Sequence, residues 1–326
     1  MSYAQYIKEI GRGQHGARDL SVEDAQTLFS AMLDGGVPDL ELGAIVLALR
    51  VKTEALSELT GFYQAAAARV YALRRPAGHI RPIVIPTYNG ARKLPNLLPL
   101  LALLLQRFGV PVLLHGTLEG NGRVATAYIL RELGVMPCVS LAAAQTALDE
   151  EGLAFVPTGV VSPGLANLMA LRNRLGVRNS AHTIVKLIDP FDGGGVPLVS
   201  VTHPDYLQKM QAFFGTTGLA ALLMRGTEGE PFANPRRRPK IEYFEGGNAQ
   251  VLFEAEAARV ETLAGLPESL DPGHTAAWIK LALAGKASIP YPIVNQLACC
   301  LRASGYTADM NQAKAIAAVE TGSMAA

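Results

Sequence analysis

Basic side chains fall in three groups along the sequence, and this grouping carries the most chemical information. No acidic residue occurs between Glu58 and Glu119, and none occurs in residues 152–188. The basic residues of the first window are Arg69, Arg74, Arg75, Arg81, Arg92, Lys93 and Arg107. The second window contains His182 and the basic residues Arg172, Arg174, Arg178 and Lys186. A third basic group follows later and consists of Arg236, Arg237, Arg238 and Lys240. A single group of this kind is equally explained by side chains that are simply solvated, but the three groups together favour an anionic ligand, with which cations form charge-assisted hydrogen bonds.

Other patterns that could support chemistry are weaker. The segment GTLEGNGR (116–123) follows an apolar run and precedes a helical pattern, a place where backbone N–H groups can hold phosphate. It lacks the P-loop lysine and the dinucleotide-binding spacing, so an ordinary strand-to-helix turn is the preferred interpretation. The six histidines have no metal-binding spacing, and no serine lies in a nucleophile elbow. We therefore predict no metal site, no cofactor and no covalent catalysis.

The composition bounds the class of protein. The 326 residues are 49% hydrophobic and 17% charged, with a formal net charge of +1, which favours a compact α/β protein over a fibre or a disordered chain. The longest apolar run, residues 94–105, is interrupted by prolines and is too short to span a bilayer. The N-terminus has no signal-peptide pattern, and the three cysteines are interpreted as reduced thiols. These features predict a cytoplasmic protein with no membrane partner.

The first part of the chain is predicted to be helical. Residues 1–75 have helical periodicity, and Ser21 with Asp24 resembles a capping box. Thr53 is predicted to cap a third helical segment that ends before Pro76.

The period of the pattern changes from residue 82 onwards. Short apolar runs at 82–86 and 110–116 are predicted strands separated by a helix, and residues 162–186 are predicted to be helical again. Strands then resume in PLVSV, ALLMRG and the hairpin KIEYFEGGNAQVLFE, before three closing helices at 274–284, 290–303 and 308–319. Alternating strands and helices predict an α/β fold with parallel pairing and right-handed crossovers.

Several segments carry a family resemblance: PTYNGARKLPN (86–96), LLHG (113–116), LRNRLGVRNSAHTIVKLIDP (171–190) and LLMRGTEGEPFANP (222–235). They resemble the glycosyltransferase-family-three fold of anthranilate phosphoribosyltransferase and nucleoside phosphorylases, and more closely its YbiB branch of nucleic-acid-binding relatives. The resemblance implies a small helical lobe, residues 1–75 with 162–188, that forms a homodimer. It also implies a larger α/β lobe, residues 76–161 with 189–326, around a mainly parallel central sheet.

The motifs that phosphoribosyl transfer requires are altered at the matching positions. The family's GTGGD loop becomes PTYNG (86–90), where Tyr88 and Asn89 replace the glycine pair and are expected to block close approach of a phosphate to the backbone. Leu98 and Pro99 replace two hydroxyl residues, and the KHGN motif becomes LHGT (114–117). The acidic pair that holds Mg²⁺ is reduced to Glu230. The ancestral substrate cleft implied by the resemblance comprises Thr87, Asn89, Gly90, Arg92, Lys93, Asn96, His115, Gly116 and Arg172.

These alterations favour a binding protein over an enzyme. Arg172 matches the arginine that contacts the acceptor carboxylate in the enzymes, but next to Arg174 it can equally bind the phosphate of a polymer; structural ion pairs are the plain alternative for Arg172 and Arg178. We predict sequence-independent DNA or RNA binding by a homodimer, with Arg172, Arg174, Arg178, Lys186, Arg236, Arg237 and Arg238 as contacts. Two alternatives stay open: an active phosphoribosyltransferase that uses phosphoribosyl pyrophosphate (PRPP) and Mg²⁺, and a docking protein whose acidic stretch, residues 242–271, binds another protein.

Overall fold

The computed structural model describes residues 2–13, 15–256 and 265–322, so residues 257–264 of the acidic stretch lie outside the described residues. The helices up to residue 190 are α1 (Ala4–Ile10), α2 (Val22–Leu33), α3 (Asp39–Lys52), α4 (Leu56–Ala67), α5 (Leu98–Arg107), α6 (Thr126–Glu132), α7 (Leu141–Glu151), α8 (Thr158–Val161), α9 (Pro163–Ala170), α10 (Arg172–Leu175) and α11 (Ala181–Ile184). The later helices are α12 (Pro204–Thr217), α13 (Pro272–Leu283), α14 (Tyr291–Ala303) and α15 (Met310–Thr321). The strands are β1 (Ile83–Thr87), β2 (Val112–Gly116), β3 (Leu153–Pro157), β4 (Val196–Val201), β5 (Ala221–Arg225), β6 (Ile241–Glu245) and β7 (Asn248–Phe253).

The chain divides into two compact units. The helical unit consists of Met1–Ala72 and Thr158–Pro190, and the sheet unit consists of Leu73–Pro157 and Phe191–Ala326. Among the described residues, no helix is both long enough and apolar enough to cross a bilayer.

The helical unit is built around the contact of α2 with α4. The Ser21 hydroxyl accepts a hydrogen bond from Asp24 N–H, so the predicted N-cap of α2 is confirmed. The rings of Phe29 and Phe62 stack with centroids 4.6 Å apart in the buried seam. A Cβ atom at Gly61 would lie 2.4 Å from the carbonyl oxygen of Val22, so glycine is needed for the two helices to approach this closely.

The prediction for Thr53 is wrong. Thr53 ends α3, with a left-handed φ of 65°, and α4 begins after Ala55. The cap comes from the fully buried Glu58, whose carboxylate accepts from Ala55 N–H and also from the Lys52 ammonium, both at 2.8 Å. A side chain reaching back from inside the helix therefore replaces the hydroxyl cap that the sequence pattern indicated.

The second segment of the helical unit is less regular than predicted. Residues 162–186 are mainly helical, but the helices are short and α10 ends at Gly176, with a φ of 72°. At Gly164, in α9, an added Cβ atom would lie 2.6 Å from the carbonyl oxygen of Leu33, which shows how tightly α9 packs on α2. The short helices place the basic residues of this segment in turns as well as on helices.

The sheet unit contains a seven-stranded sheet in the order β3-β2-β1-β4-β5-β6-β7. The pairs from β3 to β5 are parallel, while β5 with β6 and β6 with β7 are antiparallel. The predicted mainly parallel sheet and its terminal hairpin are confirmed. Helices α5, α6, α13, α14 and α15 contribute to one continuous hydrophobic core with the sheet, in which α14 is almost entirely buried. The carboxyl ends of the parallel strands meet at one edge, where loops can form a site.

Candidate functional site

The loop that follows β1 already holds an anion, which is supplied by the chain itself. The N–H groups of Asn89 and Gly90 donate to Oε1 of Glu230 at 2.6 and 2.7 Å. Oε2 of Glu230 lies 2.5 Å from the Thr87 hydroxyl, and the carboxylate is fully buried. The sequence predicted that Tyr88 and Asn89 would block close approach to this backbone. The N–H groups of Asn89 and Gly90 both point at one carboxylate, so the backbone geometry of an anion site is present and Glu230 fills it.

A chain of hydroxyl and amide groups leads to the same carboxylate. The Asn96 side-chain amide donates to the Thr126 hydroxyl at 2.9 Å, and the hydroxyl oxygens of Thr126 and Thr87 are 2.6 Å apart. Because each hydroxyl has one proton to donate, a consistent arrangement runs from Asn96 to Thr126, then to Thr87, and ends on Glu230. Thr126 was not among the residues singled out from the sequence.

The loop between β5 and β6 is held firmly against these groups. The Asn89 side chain donates to the Gly229 carbonyl oxygen at 2.7 Å, and the Ser200 hydroxyl donates to the same oxygen at 3.1 Å. Gly229 has a φ of 96°, and a Cβ atom there would lie 2.8 Å from the Asn89 side chain. Glycine at this position therefore lets the loop deliver Glu230 into the site.

The protonation of Glu230 reflects two opposing effects. Burial raises the pKa of Glu230 above its ordinary value, while the donors at Thr87, Gly90 and Asn89 act in the opposite direction. These donors are neutral hydroxyl and backbone groups, and their hydrogen bonds offset the desolvation of the carboxyl group only in part.

A second carboxylate, that of Glu228, accepts hydrogen bonds from backbone N–H groups a few residues further along the same loop. The N–H groups of Arg92, Lys93 and Leu94 donate to Glu228 at 3.2, 2.9 and 3.0 Å. The Arg92 guanidinium lies 3.9 Å from the same carboxylate, and the Arg123 guanidinium lies 3.4 Å from the Glu228 carbonyl oxygen. The exposed side chains of Arg92 and Lys93 are thus beside an internal anion.

His115 and Gly116 end β2 next to β1. Packing requires glycine at the second position, because an added Cβ at Gly116 would lie 1.7 Å from the Thr87 carbonyl oxygen. His115 is fully buried, and neither ring nitrogen has a hydrogen-bond partner among the residues that the structure describes. Burial lowers the pKa of His115 to about 4, so the ring is neutral at neutral pH.

The residues at this site do not fit Mg²⁺. Both oxygens of Glu230 already accept hydrogen bonds, from the Thr87 hydroxyl and from backbone N–H groups of the loop. The carboxylate of Glu228 likewise accepts from backbone N–H groups. Within residues 2–13, 15–256 and 265–322, no group of three or more His, Cys, Asp or Glu side chains is arranged to hold a metal ion. We therefore assign no step of a reaction to Mg²⁺ at these carboxylates.

Three of the predicted basic residues lie together in the helical unit. Burial, and to a smaller extent the charges of Arg178, Arg172 and Lys186, lower the pKa of His182 to about 3, which indicates that these three cations lie in the neighbourhood of the ring. We call Arg172, Arg178 and Lys186 the basic cluster. Arg174 points elsewhere, since its guanidinium is 3.1 Å from the carboxylate of Asp39.

The third predicted group is used largely for internal contacts. The guanidinium of Arg237 donates to the carbonyl oxygen of Glu256, and that of Arg238 donates to the carbonyl oxygen of Glu254. Arg238 also lies over the Phe253 ring. Arg236 is half-buried, and its Nε has no partner among the described residues. These contacts tie the segment to the end of β7 and reduce the positive charge it can offer a ligand.

The predicted cleft residues therefore fall into separate sets. Thr87, Asn89, Gly90 and Asn96 lie in the Glu230 network, Arg92 and Lys93 lie beside Glu228, and Arg172 belongs to the helical unit. The sequence pattern did not single out Glu228 and Thr126. The sequence feature that could have indicated Glu228 is the pair of acidic residues in the glycine-rich segment GTEGE. From the sequence, this segment was interpreted only as the remnant of a metal site.

The fold and this site can be compared with known proteins. Residues 4–70 match the model of the glycosyl transferase family, helical bundle domain. The chain is 46% identical over 312 residues to a protein of Escherichia coli K12 that bears the name uncharacterized protein YbiB, which covers 95% of this chain and 97% of that protein. It is 25% identical over 270 residues to anthranilate phosphoribosyltransferase of Persephonella marina, which covers 80% of this chain and 78% of that enzyme.

Solved structures show the same fold. Anthranilate phosphoribosyltransferase of Thermus thermophilus superposes with a TM-score of 0.76 at 23% identity, covering 98% of this chain and 95% of that one. The enzyme of Saccharomyces cerevisiae in complex with PRPP and Mg superposes with a TM-score of 0.72 at 14% identity, covering 98% and 93%. If the chain is an enzyme, its scaffold is that of a phosphoribosyltransferase. By its 46% identity over nearly its whole length, the chain belongs to the YbiB family, and its fold is that of the anthranilate phosphoribosyltransferases.

Proposed function

We propose that this protein binds nucleic acid without sequence preference, as a homodimer, and has no catalytic activity. The observation that carries the proposal is the basic cluster, three cations of one segment without acidic residues whose charges lower the pKa of the buried His182. Cations held this close together raise the local positive potential, which attracts anions. The phosphates of a nucleic acid backbone are such anions, and their binding releases counterions.

The chemistry of the cluster suits phosphate rather than bases. An arginine can make bidentate hydrogen bonds to a phosphate and a lysine supplies a point charge, and these are the residue types of the cluster. Contacts of this kind fix position along a backbone and carry no sequence information. The aromatic content of 6% offers few platforms on which bases could stack.

The occupied loop argues against the alternative of an active phosphoribosyltransferase. A diphosphate substrate would need the N–H groups of Asn89 and Gly90, which Glu230 already holds at hydrogen-bond distance. The alternative is favoured by the fold and by Arg172, which matches the acceptor-binding arginine of the enzymes. Phosphoribosyltransferase activity is the less favoured of the two functions, because a substrate would first have to displace the buried Glu230 carboxyl group.

An apolar surface of the helical unit supports the homodimer. Leu40, Leu47 and Val51 of α3 are 83%, 53% and 59% exposed. Leu47 and Val51 also line a groove that α3 shares with α1. A second copy of the same chain is the partner we propose for this face, since a two-fold symmetric dimer would place the α3 faces of both copies against each other and bury these side chains.

The experiment that tests nucleic-acid binding is a salt titration with two unrelated single-stranded oligonucleotides and one duplex. A triple variant, Arg172→Ala, Arg178→Ala and Lys186→Ala, is compared with the parent and with a control of equal charge change. That control replaces Arg75, Arg131 and Lys286, which are exposed and belong to the sheet unit. We expect the basic-cluster variant to lower the slope of log affinity against log salt by about 3 and to weaken all three ligands alike. Equal slopes in the two triple variants would contradict the assignment.

A further inference from the structure

A pocket of about 540 Å³ lies in the sheet unit where three helices end. It is lined by the last turns of α5, α13 and α15 and by the loop after α13, residues 104, 107, 282–289 and 319–322. Helix α5 leads from the carboxyl end of β1 to the amino end of the parallel strand β2, so its last turn lies at the end of the sheet opposite the loop after β1. Pockets of this size hold small molecules, and this one is separate from the Glu230 network.

Part of the pocket lining offers hydrogen-bond donors. The Arg107 guanidinium donates through Nη1 to the Leu283 carbonyl oxygen at 3.0 Å, which holds the side chain across the ends of α5 and α13. It makes no other hydrogen bond or ion pair with the described residues, so its remaining N–H groups are free for a ligand. The exposed side chains of Lys286 and Ser288 line the same pocket and are likewise without a partner in the described part of the chain. A guanidinium with an ammonium and a hydroxyl is a donor set that suits a carboxylate.

The rest of the polar lining favours a positive group. Glu320, in the last turn of α15, lines the pocket with an exposed carboxylate that forms no ion pair within residues 2–13, 15–256 and 265–322. The carboxyl ends of α5, α13 and α15 each carry a partial negative charge, because the last carbonyl groups of a helix have no intrahelical partner. A ligand with only negative charge would be repelled by these groups. The combination therefore suits a zwitterion, which has a carboxylate and an ammonium group.

The lining also leaves space for a small aliphatic group. Leu104 and Ile289 line the pocket and are 3% and 5% exposed, so they are fixed in the core. The other lining side chains of the segment after Lys280 include Ala282, Ala284 and Ala287, which have no atoms beyond Cβ. An aliphatic side chain that packs on this surface buries apolar area and stabilises the complex.

From this arrangement we propose that the pocket binds a free α-amino acid with an aliphatic side chain. Its carboxylate is bound by Arg107, with Lys286 and Ser288 beside it. Its ammonium group is bound by Glu320 and the carbonyl groups at the end of α15, and its side chain packs against Leu104 and Ile289. The site goes beyond nucleic-acid binding, because it lies in the sheet unit and takes a small molecule, whereas the basic cluster belongs to the helical unit.

The test is a ligand-observed NMR titration of the full chain with L-leucine and with two analogues that each lack one charge. Leucinamide has no carboxylate, and 4-methylpentanoate has no amino group. We expect L-leucine to bind with a dissociation constant of about 1 mM or lower. Each analogue should bind at least about tenfold more weakly, because one charge-assisted contact is lost. L-valine and L-isoleucine extend the titration to other aliphatic side chains.

Two substitutions assign the two ends of the ligand. Arg107→Gln should weaken binding of L-leucine about tenfold and leave that of leucinamide unchanged. Glu320→Gln should weaken binding of L-leucine and leave that of 4-methylpentanoate unchanged. Arg131→Gln and Glu132→Gln are the matched controls, since both residues are exposed at the end of α6 and do not line the pocket.

A third variant keeps the test decisive if Arg107→Gln loosens the contact with Leu283. Ala284→Tyr places a ring at an exposed position of the lining and changes no charge, so it should abolish binding by occupying the space. The site is overturned if none of the three amino acids saturates at roughly 10 mM, if leucinamide binds as tightly as L-leucine, or if Arg107→Gln and Arg131→Gln behave alike. The salt slope of the basic-cluster variant is a separate measurement, so failure of this site and failure of the proposed function can be told apart.

Discussion

The Glu230 carboxylate lies within 2.7 Å of the Gly90 N–H group, although the two residues are 140 positions apart in the chain. This contact joins the turn after β1 to the loop between β5 and β6. Glu230 accepts the hydrogen bonds that the N–H groups of this turn would otherwise offer to a ligand. The stability of this part of the sheet unit and its proposed inertness as an enzyme therefore have a common origin.

Glu230→Ala should destabilise the protein. It leaves the N–H groups of Asn89 and Gly90 buried without a partner, and each such group costs about 1–3 kcal/mol. Glu230→Gln should cost less, because the amide oxygen accepts from both N–H groups and the Thr87 hydroxyl can turn to accept from the amide. Denaturant unfolding of both variants checks this order. Equal losses in the two variants would contradict this order, and a Glu230→Ala variant as stable as the parent would show that the contacts of Glu230 contribute little.

The purified protein should release no pyrophosphate from PRPP with any aromatic or base acceptor. The site lacks the glycine pair and the acidic pair of the family, and Glu230 fills the N–H groups that a diphosphate needs. A coupled pyrophosphate assay checks this, with an anthranilate phosphoribosyltransferase as the positive control. Turnover on the order of 1 per second or faster would contradict the prediction and establish the enzymatic alternative.

Acid should destabilise the protein through His182. Burial and the adjacent cations lower its pKa to about 3 from the ordinary 6.5, so between these pH values the unfolded chain binds more protons than the folded one. Stability is thus fully present above pH 6.5 and is lost as the pH falls towards 3, by about 2 kcal/mol between pH 7 and pH 5. His182→Asn, which keeps an acceptor for the Asn179 N–H group, should lose less stability over this interval. The free energy of unfolding is measured for both proteins from pH 7 to pH 5. An equal loss in the parent and in His182→Asn would refute the assignment.

Leu47→Glu should convert the proposed dimer into a monomer. The side chain is 53% exposed on α3, and burying a carboxylate at an apolar interface is unfavourable. Val319→Glu is the matched control, because Val319 is 79% exposed on α15 in the sheet unit. Light scattering after size exclusion measures both masses. A dimeric Leu47→Glu variant, or a monomeric parent, would rule out this face as the interface.

The sequence predicted the fold well where the pattern is local. The strands β1 and β2 are apolar runs bounded by proline or glycine, and the GG turn specifies the hairpin of β6 and β7. The strand β3 was not predicted, although the left-handed Gly152 ends α7 directly before it, because five apolar residues are compatible with either a strand or a helix.

The site was predictable only in part, for a physical reason. The family resemblance located Thr87, Asn89 and Asn96, but the sequence has no pattern that indicates which distant group completes a turn. Glu228 and Glu230 reach their partners over more than 130 residues of chain, and such contacts follow from the sheet order rather than from local spacing. The same holds for Arg174, whose pairing with Asp39 separates it from the basic cluster.

The division of the helical unit into two segments has a consequence for biosynthesis. The α2 and α4 pair is complete once residue 72 has been made, but α9, which packs on α2 at Leu33, lies beyond residues 73–157. Chains grow from the N-terminus at about 5–20 residues per second, so the nascent chain exposes the uncovered side of α2 for several seconds. During that interval this surface is available to chaperones, and a ribosome stalled before residue 163 would present an unfinished helical unit.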